Sequence, residues 1–150
     1  MTYDEFLEQE CNRPSRKKPA DLEHQIQCAC IDWFRLAYPK LQSLLFAVPN
    51  GGRRDKVTGG KLKAEGALAG VADLILLIPR NGYASLCIEM KTPNGTQRDS
   101  QKLWQKEVEA VGNKYVICRS LDDFIREIKE YLSNIVVYGK KSKSSTAATI

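Results

Sequence analysis

The chain has 150 residues, of which 43% are hydrophobic and 27% charged, and it carries a formal net charge of +5. That length suits one domain with one sizeable core, and the apolar share excludes a disordered chain. No apolar run approaches the ~20 residues of a membrane-spanning helix, so a bilayer is not an expected partner. The basic surplus leaves two readings open: a polyanionic partner such as nucleic acid, or a surface that merely keeps the chain soluble.

Residues 1–18 are polar, with Pro14 and Pro19 breaking any regular run, and read as an arm rather than a signal peptide. Over 21–37 the spacing of Leu22, Ile26, Ala29 and Trp33, widened by Cys30, Phe34 and Ala37, predicts an amphipathic helix with Asp21 as its N-cap. Residues 43–48 read as a short strand. The following Pro49-Asn50-Gly51-Gly52-Arg53-Arg54 is a loop by composition, and a short helix is expected within 60–69.

The run Val71–Ile78 is almost wholly apolar and bounded by Gly70 and Pro79, as in a buried strand. Pro79-Arg80-Asn81-Gly82 supplies turn chemistry, so 71–78 and 83–91 form a β-hairpin. A second long helix is expected over 98–111, with Trp104, Val108 and Val111 on its buried face and Gly112 as the stop. A strand at 114–119 and a helix running to Leu132, capped by Ser120 and Asp123, follow. Residues 135–138 read as an edge strand, and the Lys/Ser/Thr tail from Lys140 reads as disordered. The predicted fold class is α/β, a mixed central sheet flanked by helices, with a 1–18 arm, a 19–139 domain and a 140–150 tail.

The five cysteines, Cys11, Cys28, Cys30, Cys87 and Cys118, are odd in number and include no C-x-x-C pair. Neither a disulfide framework nor a zinc site is indicated, and a reducing, cytoplasmic location fits. There is no G-x-G-x-x-G or P-loop pattern to support a small-molecule α/β enzyme.

Asp73 interrupts an apolar strand, where a carboxylate is rarely buried without a partner. In the next strand Cys87, Glu89 and Lys91 share one face, expected to be the less apolar one, and Leu86, Ile88 and Met90 share the other. If the turn sets Ile78 opposite Ala84, Asp73 falls opposite Glu89, with Cβ atoms roughly 5 Å apart. Two carboxylates that close repel unless a cation sits between them, and oxygen ligands of this kind favour Mg²⁺ or Mn²⁺. Lys91 beside them can act on a water or stabilise developing charge on a phosphoryl group. Glu23 is placed to project from the first helix toward the same site. Glu-x-Lys alone carries no weight in a chain this charged. Asp73 on the preceding strand and the basic cluster Arg53, Arg54, Lys56, Lys61 and Lys63 give it weight.

The remaining polar candidates receive plainer assignments. His24 reads as a solvent-facing residue, Gln27 and Gln97 as polar surface, Cys87 as packing, and Trp33 and Trp104 as core.

Taken together, these residues resemble the PD-(D/E)XK nuclease superfamily, and within it the virus-type replication-repair nuclease (VRR-NUC) domain. The resemblance runs from about Glu23 to about Arg119. It is carried by Glu23-His24-Gln25-Ile26-Gln27, Val48-Pro49-Asn50-Gly51-Gly52, Gly70-Val71-Ala72-Asp73, Glu89-Met90-Lys91, and Ser100-Gln101 with Trp104. The chain departs from the motif at Ala72, where proline is frequent.

The resemblance implies a restriction-endonuclease-like α-β-β-β-α-β core and metal-dependent hydrolysis of DNA. Asp73, Glu89 and the Met90 carbonyl would be ligands of Mg²⁺ or Mn²⁺, and Glu23 would support the metal shell. Lys91 would act on the nucleophilic water, and Gln101 would lie near the site. Asn50, Arg53, Arg54, Lys56, Lys61 and Lys63 are the expected DNA contacts. Small stand-alone members imply a homodimer acting on branched DNA such as four-way junctions. The competing reading is a basic DNA-binding module without catalysis, an accessory of replication or repair.

Overall fold

The computed structural model describes residue 2, residues 19–49 and residues 56–133. Asn50, Arg53 and Arg54 lie outside the described residues, as do the expected 135–138 strand and the tail.

Helix α1 (Pro19–Ala37) begins two residues before the predicted start, because proline is tolerated in a first helical turn, and this leaves Asp21 inside that turn. Its buried stripe is Ala29, Cys30, Trp33 and Phe34. The predicted 43–48 strand opens instead as a 3-10 helix (Pro39–Leu44) that hands over to strand β1 (Leu45–Ala47). Helix α2 (Lys56–Ala64) starts earlier than expected, and Gly66, at φ 104°, follows its end. Strands β2 (Leu74–Leu76) and β3 (Leu86–Met90), helix α3 (Asp99–Ala110), strand β4 (Lys114–Cys118) and helix α4 (Leu121–Leu132) complete the described chain.

The strands form one sheet in the order β1-β2-β3-β4, with β1, β2 and β3 antiparallel and β3 parallel to β4. A parallel pair needs a crossover, and α3 supplies it. This topology has one consequence for chemistry. The start of β2, the end of β3 and the start of α3 all fall at one edge of the molecule, where the carboxyl ends of parallel strands usually present ligands.

Both faces of the sheet are covered. Leu74, Leu76, Leu86, Ile88 and Met90 pack with Phe34 and Trp33 of α1 and with Phe124, Ile128 and Tyr131 of α4 in the main core. On the other face Ala72, Cys87 and Tyr115 pack with Ile75, Trp104, Val108 and Ile117. The face expected to be less apolar is therefore also closed, by α3. Every residue of β3 is buried, including Glu89.

The hairpin turn has Asn81 at φ 51° and Gly82 at φ 82°, the two positive values that a two-residue type I′ turn requires. An isolated bridge pairs Arg80 with Tyr83, one residue out of step with the β2/β3 ladder. The extra residue lies on the turn side of that ladder. The ladder itself runs Leu74–Ile88, Ile75–Cys87 and Leu76–Leu86, and one further step sets Asp73 opposite Glu89.

Candidate active site

Asp73 stands where the β2 ladder runs out. Its carbonyl accepts the Val48 N–H at 2.9 Å, and its carboxylate Oδ2 accepts the Met90 N–H at 2.7 Å. The side chain thus continues the sheet's hydrogen bonding where the strand ends, which fixes the carboxylate beside the end of β3.

Glu89 is 1% exposed. Its Oε1 accepts the Gln101 amide at 2.7 Å and lies 3.5 Å from Lys91 Nζ, while its Oε2 accepts the Tyr115 hydroxyl at 3.3 Å. Burial, and then the charge of Asp73, push the Glu89 carboxyl up to about 8, with Lys91 opposing the shift. Glu23, half-buried on α1, is also raised, by burial and by Asp73, against the pull of Lys91 and Arg98. Tyr115 is raised by burial and by Glu89, so the phenol keeps its proton and can donate it.

A cleft of about 250 Å³ opens at this point, lined by Glu23, Gly70, Asp73, Glu89, Lys91, Arg98, Ser100 and Gln101 among others. The structure therefore brings Glu23, Asp73, Glu89, Lys91 and Gln101 to one place. The Met90 side chain is buried in the opposite core, which leaves only its backbone to face this side. Lys61 and Lys63 lie in the last turn of α2, exposed; neither lines the cleft. Lys56 opens α2.

Two further contacts hold the segments that flank the site. Gly70, at φ 90°, passes so close to the start of α3 that an added Cβ would sit 2.6 Å from the Ser100 carbonyl carbon. Arg119 Nη1 donates to the carbonyls of Thr92 and Gly95, at 2.8 and 2.6 Å, and so pins the loop that follows Lys91.

The donor set suits a hard divalent cation, because it consists of oxygens and holds no sulfur or imidazole. The charge of Asp73 raises the proton affinity of Glu89, and a cation between the two carboxylates would relieve this. Among the described residues no three acidic, histidine or cysteine side chains cluster tightly enough to cage an ion alone. Any ion here would thus depend on Asp73, Glu89 and backbone or solvent oxygens, with Glu23 at the rim of the cleft.

The VRR-NUC domain profile matches residues 21–122, more than half of the chain. The chain belongs to the VRR-NUC family. A solved structure described as a VRR_NUC domain protein superposes with a TM-score of 0.66 at 25% identity, covering 78% of this chain and 90% of that one. No curated protein matches. The VRR-NUC assignment makes this a nuclease-type, DNA-binding domain, and the fold is the one the resemblance implied.

Some of the remaining assignments need correction: Leu22, Ala37 and Val111, expected on buried helix faces, are exposed, Val111 at 75% just past the end of α3. His24 is exposed, with Nε2 3.5 Å from Cys28 Sγ; Cys87 packs beneath Tyr115; Trp33 and Trp104 lie in the two cores. Gln97 is not idle surface: it donates to both Gln105 and Tyr115. Tyr115 was not identified from sequence. Its only signal there is parity, since it shares a sheet face with Glu89 when β4 is paired parallel to β3. No helix among the described residues is long and apolar enough to cross a membrane.

Proposed function

We propose that this chain is a Mg²⁺- or Mn²⁺-dependent endonuclease that hydrolyses DNA phosphodiester bonds, acting on branched DNA such as four-way junctions. One observation carries the reading: Asp73 and Glu89 are opposed at the end of the hairpin, with the Lys91 ammonium 3.5 Å from Glu89, in an open cleft.

In this reading Asp73, Glu89 and the Met90 carbonyl hold the ion, with Glu23 as outer support. When bound, the ion supplies Lewis-acid polarisation of a phosphoryl oxygen. Lys91 orients the attacking water and offsets negative charge at the phosphoryl group. Gln101 and Tyr115 keep Glu89 in place. Arg98, exposed at the rim of the cleft, and Lys61 and Lys63 on α2 are cations suited to the phosphate backbone. Asn50, Arg53, Arg54 and Lys56 are proposed from the sequence as further DNA contacts.

One site cuts one strand, so paired cuts at a junction need two copies related by symmetry; this supports a homodimer. The free Cys28, Cys30, Cys87 and Cys118 fit a reducing, cytoplasmic setting.

The test is incubation with Mg²⁺ or Mn²⁺ and a panel of duplex, flap, single-stranded and four-way DNA. Junction cleavage lost in Lys91→Ala and Asp73→Ala, with DNA affinity retained, is the expected result. Binding without cleavage of any substrate would leave a DNA-binding accessory protein instead.

A further inference from the structure

A directional hydrogen-bond relay runs from the surface of α3 into the site. It starts at Glu109, whose carboxylate only accepts. Gln105 donates its Nε2 to Glu109 Oε1 at 2.9 Å, so the other end of that amide, Oε1, faces Gln97. Gln97 must then present its NH₂ group, and it donates to Gln105 Oε1 at 3.0 Å and to the Tyr115 hydroxyl oxygen at 3.2 Å. The Tyr115 oxygen accepts there, so its proton is directed to Glu89 Oε2 at 3.3 Å. The ring is held as well: it is 7% exposed and meets Trp104 edge-on, with centroids 6.2 Å apart.

We propose that Tyr115, oriented by Gln97, is a positioning residue for the divalent cation: it fixes Glu89 from the side opposite Gln101. Glu89 is thereby gripped at both oxygens by neutral donors, Gln101 at Oε1 and Tyr115 at Oε2. A carboxylate held this way has one orientation open to an ion, and holding the ligand in advance lowers the cost of binding. The inference rests on the reading of Glu89 as a ligand.

Mn²⁺ titration of the full chain, by calorimetry and by the electron paramagnetic resonance of free Mn²⁺, tests it. The variants are Tyr115→Phe, Gln97→Glu and Glu89→Gln. Tyr115→Phe keeps the ring and removes the donor. Gln97→Glu keeps the size but puts an acceptor-only group beside Tyr115, which draws the phenol proton away from Glu89. Both are expected to weaken Mn²⁺ binding roughly 10–100-fold. Both should keep a parent-like circular dichroism spectrum, and cleavage should recover at saturating Mn²⁺. A role confined to packing predicts instead a lowered melting temperature with Mn²⁺ affinity equal to the parent's. That result in both variants, with binding lost in Glu89→Gln, overturns the role of Tyr115 alone. Parent-like Mn²⁺ binding in Glu89→Gln overturns the reading of Glu89 as a ligand, and this inference with it.

Discussion

Gln101 donates its side-chain amide to Glu89 at 2.7 Å, and the direction of that bond is set by the other end of the same amide, whose oxygen accepts the Arg98 N–H at 2.8 Å. Gln101 is the third residue of α3, where a side-chain acceptor satisfies a free backbone donor of the helix start. One residue therefore caps a helix and orients a carboxylate.

The two roles separate in Gln101→Glu. Glutamate is a good residue at this helix position, so α3 should form normally and the circular dichroism spectrum should match the parent. At Glu89, however, a donor becomes a second negative charge. Cleavage and Mn²⁺ affinity are each expected to fall by about 10–100-fold. Parent-like affinity in this variant would show that Gln101 serves only the helix.

Asp73 likewise combines a structural and a chemical role, and two substitutions divide them. Asp73→Asn retains an oxygen for the Met90 N–H but removes the charge that disfavours ionised Glu89. The metal-free protein should keep or slightly raise its melting temperature while losing Mn²⁺ binding and cleavage. Asp73→Ala leaves the Met90 N–H without its partner, which costs about 1–3 kcal/mol on top of the lost activity. Equal melting temperatures for the two variants, in chemical denaturation as in heat, would contradict the bridging role of the carboxylate.

The acid–base balance of the site gives a pH dependence. Glu89 has its carboxyl raised from 4.5 to about 8 in the folded protein, and Glu23 is raised as well. The folded state then binds more protons than the unfolded one across this window. Stability from these groups is complete below the unfolded value and is lost as pH rises through the folded one. The metal-free protein should thus melt at progressively lower temperature from about pH 4.5 to about pH 8. Glu89→Gln should flatten much of that slope, and added Mn²⁺ should restore stability at the upper end. A melting temperature in chelator that rises over the same range would refute the assignment.

The sequence makes the hairpin and its three charged residues legible because parity along a strand is a strong constraint: Asp73, Glu89 and Lys91 needed only the register to meet. The boundaries were less legible. The Ser-Leu that opens the predicted first strand folds as the end of a 3-10 helix, since Pro39 starts a turn that local propensity does not distinguish from a strand lead-in. The turn hides a one-residue offset that composition cannot show. Tyr115 and Gln97 could not be tied to the site because their partners come from a strand pairing and a helix face eight or more residues away. Only the parallel placement of β4 beside β3 brings the phenol to Glu89.

The contact between Gly70 and Ser100 yields the last prediction. Gly70 precedes Val71-Ala72-Asp73, and Ser100 precedes Gln101, so the two segments that carry Asp73 and Gln101 approach closely at this glycine. Its φ of 90° is one that side chains rarely adopt, and a Cβ would enter the Ser100 carbonyl group. Gly70→Ala should cost about 1–3 kcal/mol from the backbone conformation alone. The collision adds to this, because the obstacle is helix backbone rather than a side chain that can swing aside. Relief requires the start of α3 to move away from β2, and Gln101 moves with it, away from Glu89. The variant is therefore expected to lose Mn²⁺ affinity as well as melting temperature, although Gly70 contributes no side chain to the site. Gly82→Ala is the control: its φ is also positive, at 82°, but nothing lies within 4 Å of the added carbon. It should lower stability by a comparable backbone strain and leave Mn²⁺ binding intact. If both variants lose stability and neither loses Mn²⁺ affinity, the packing of Gly70 on Ser100 does not set the geometry of the site.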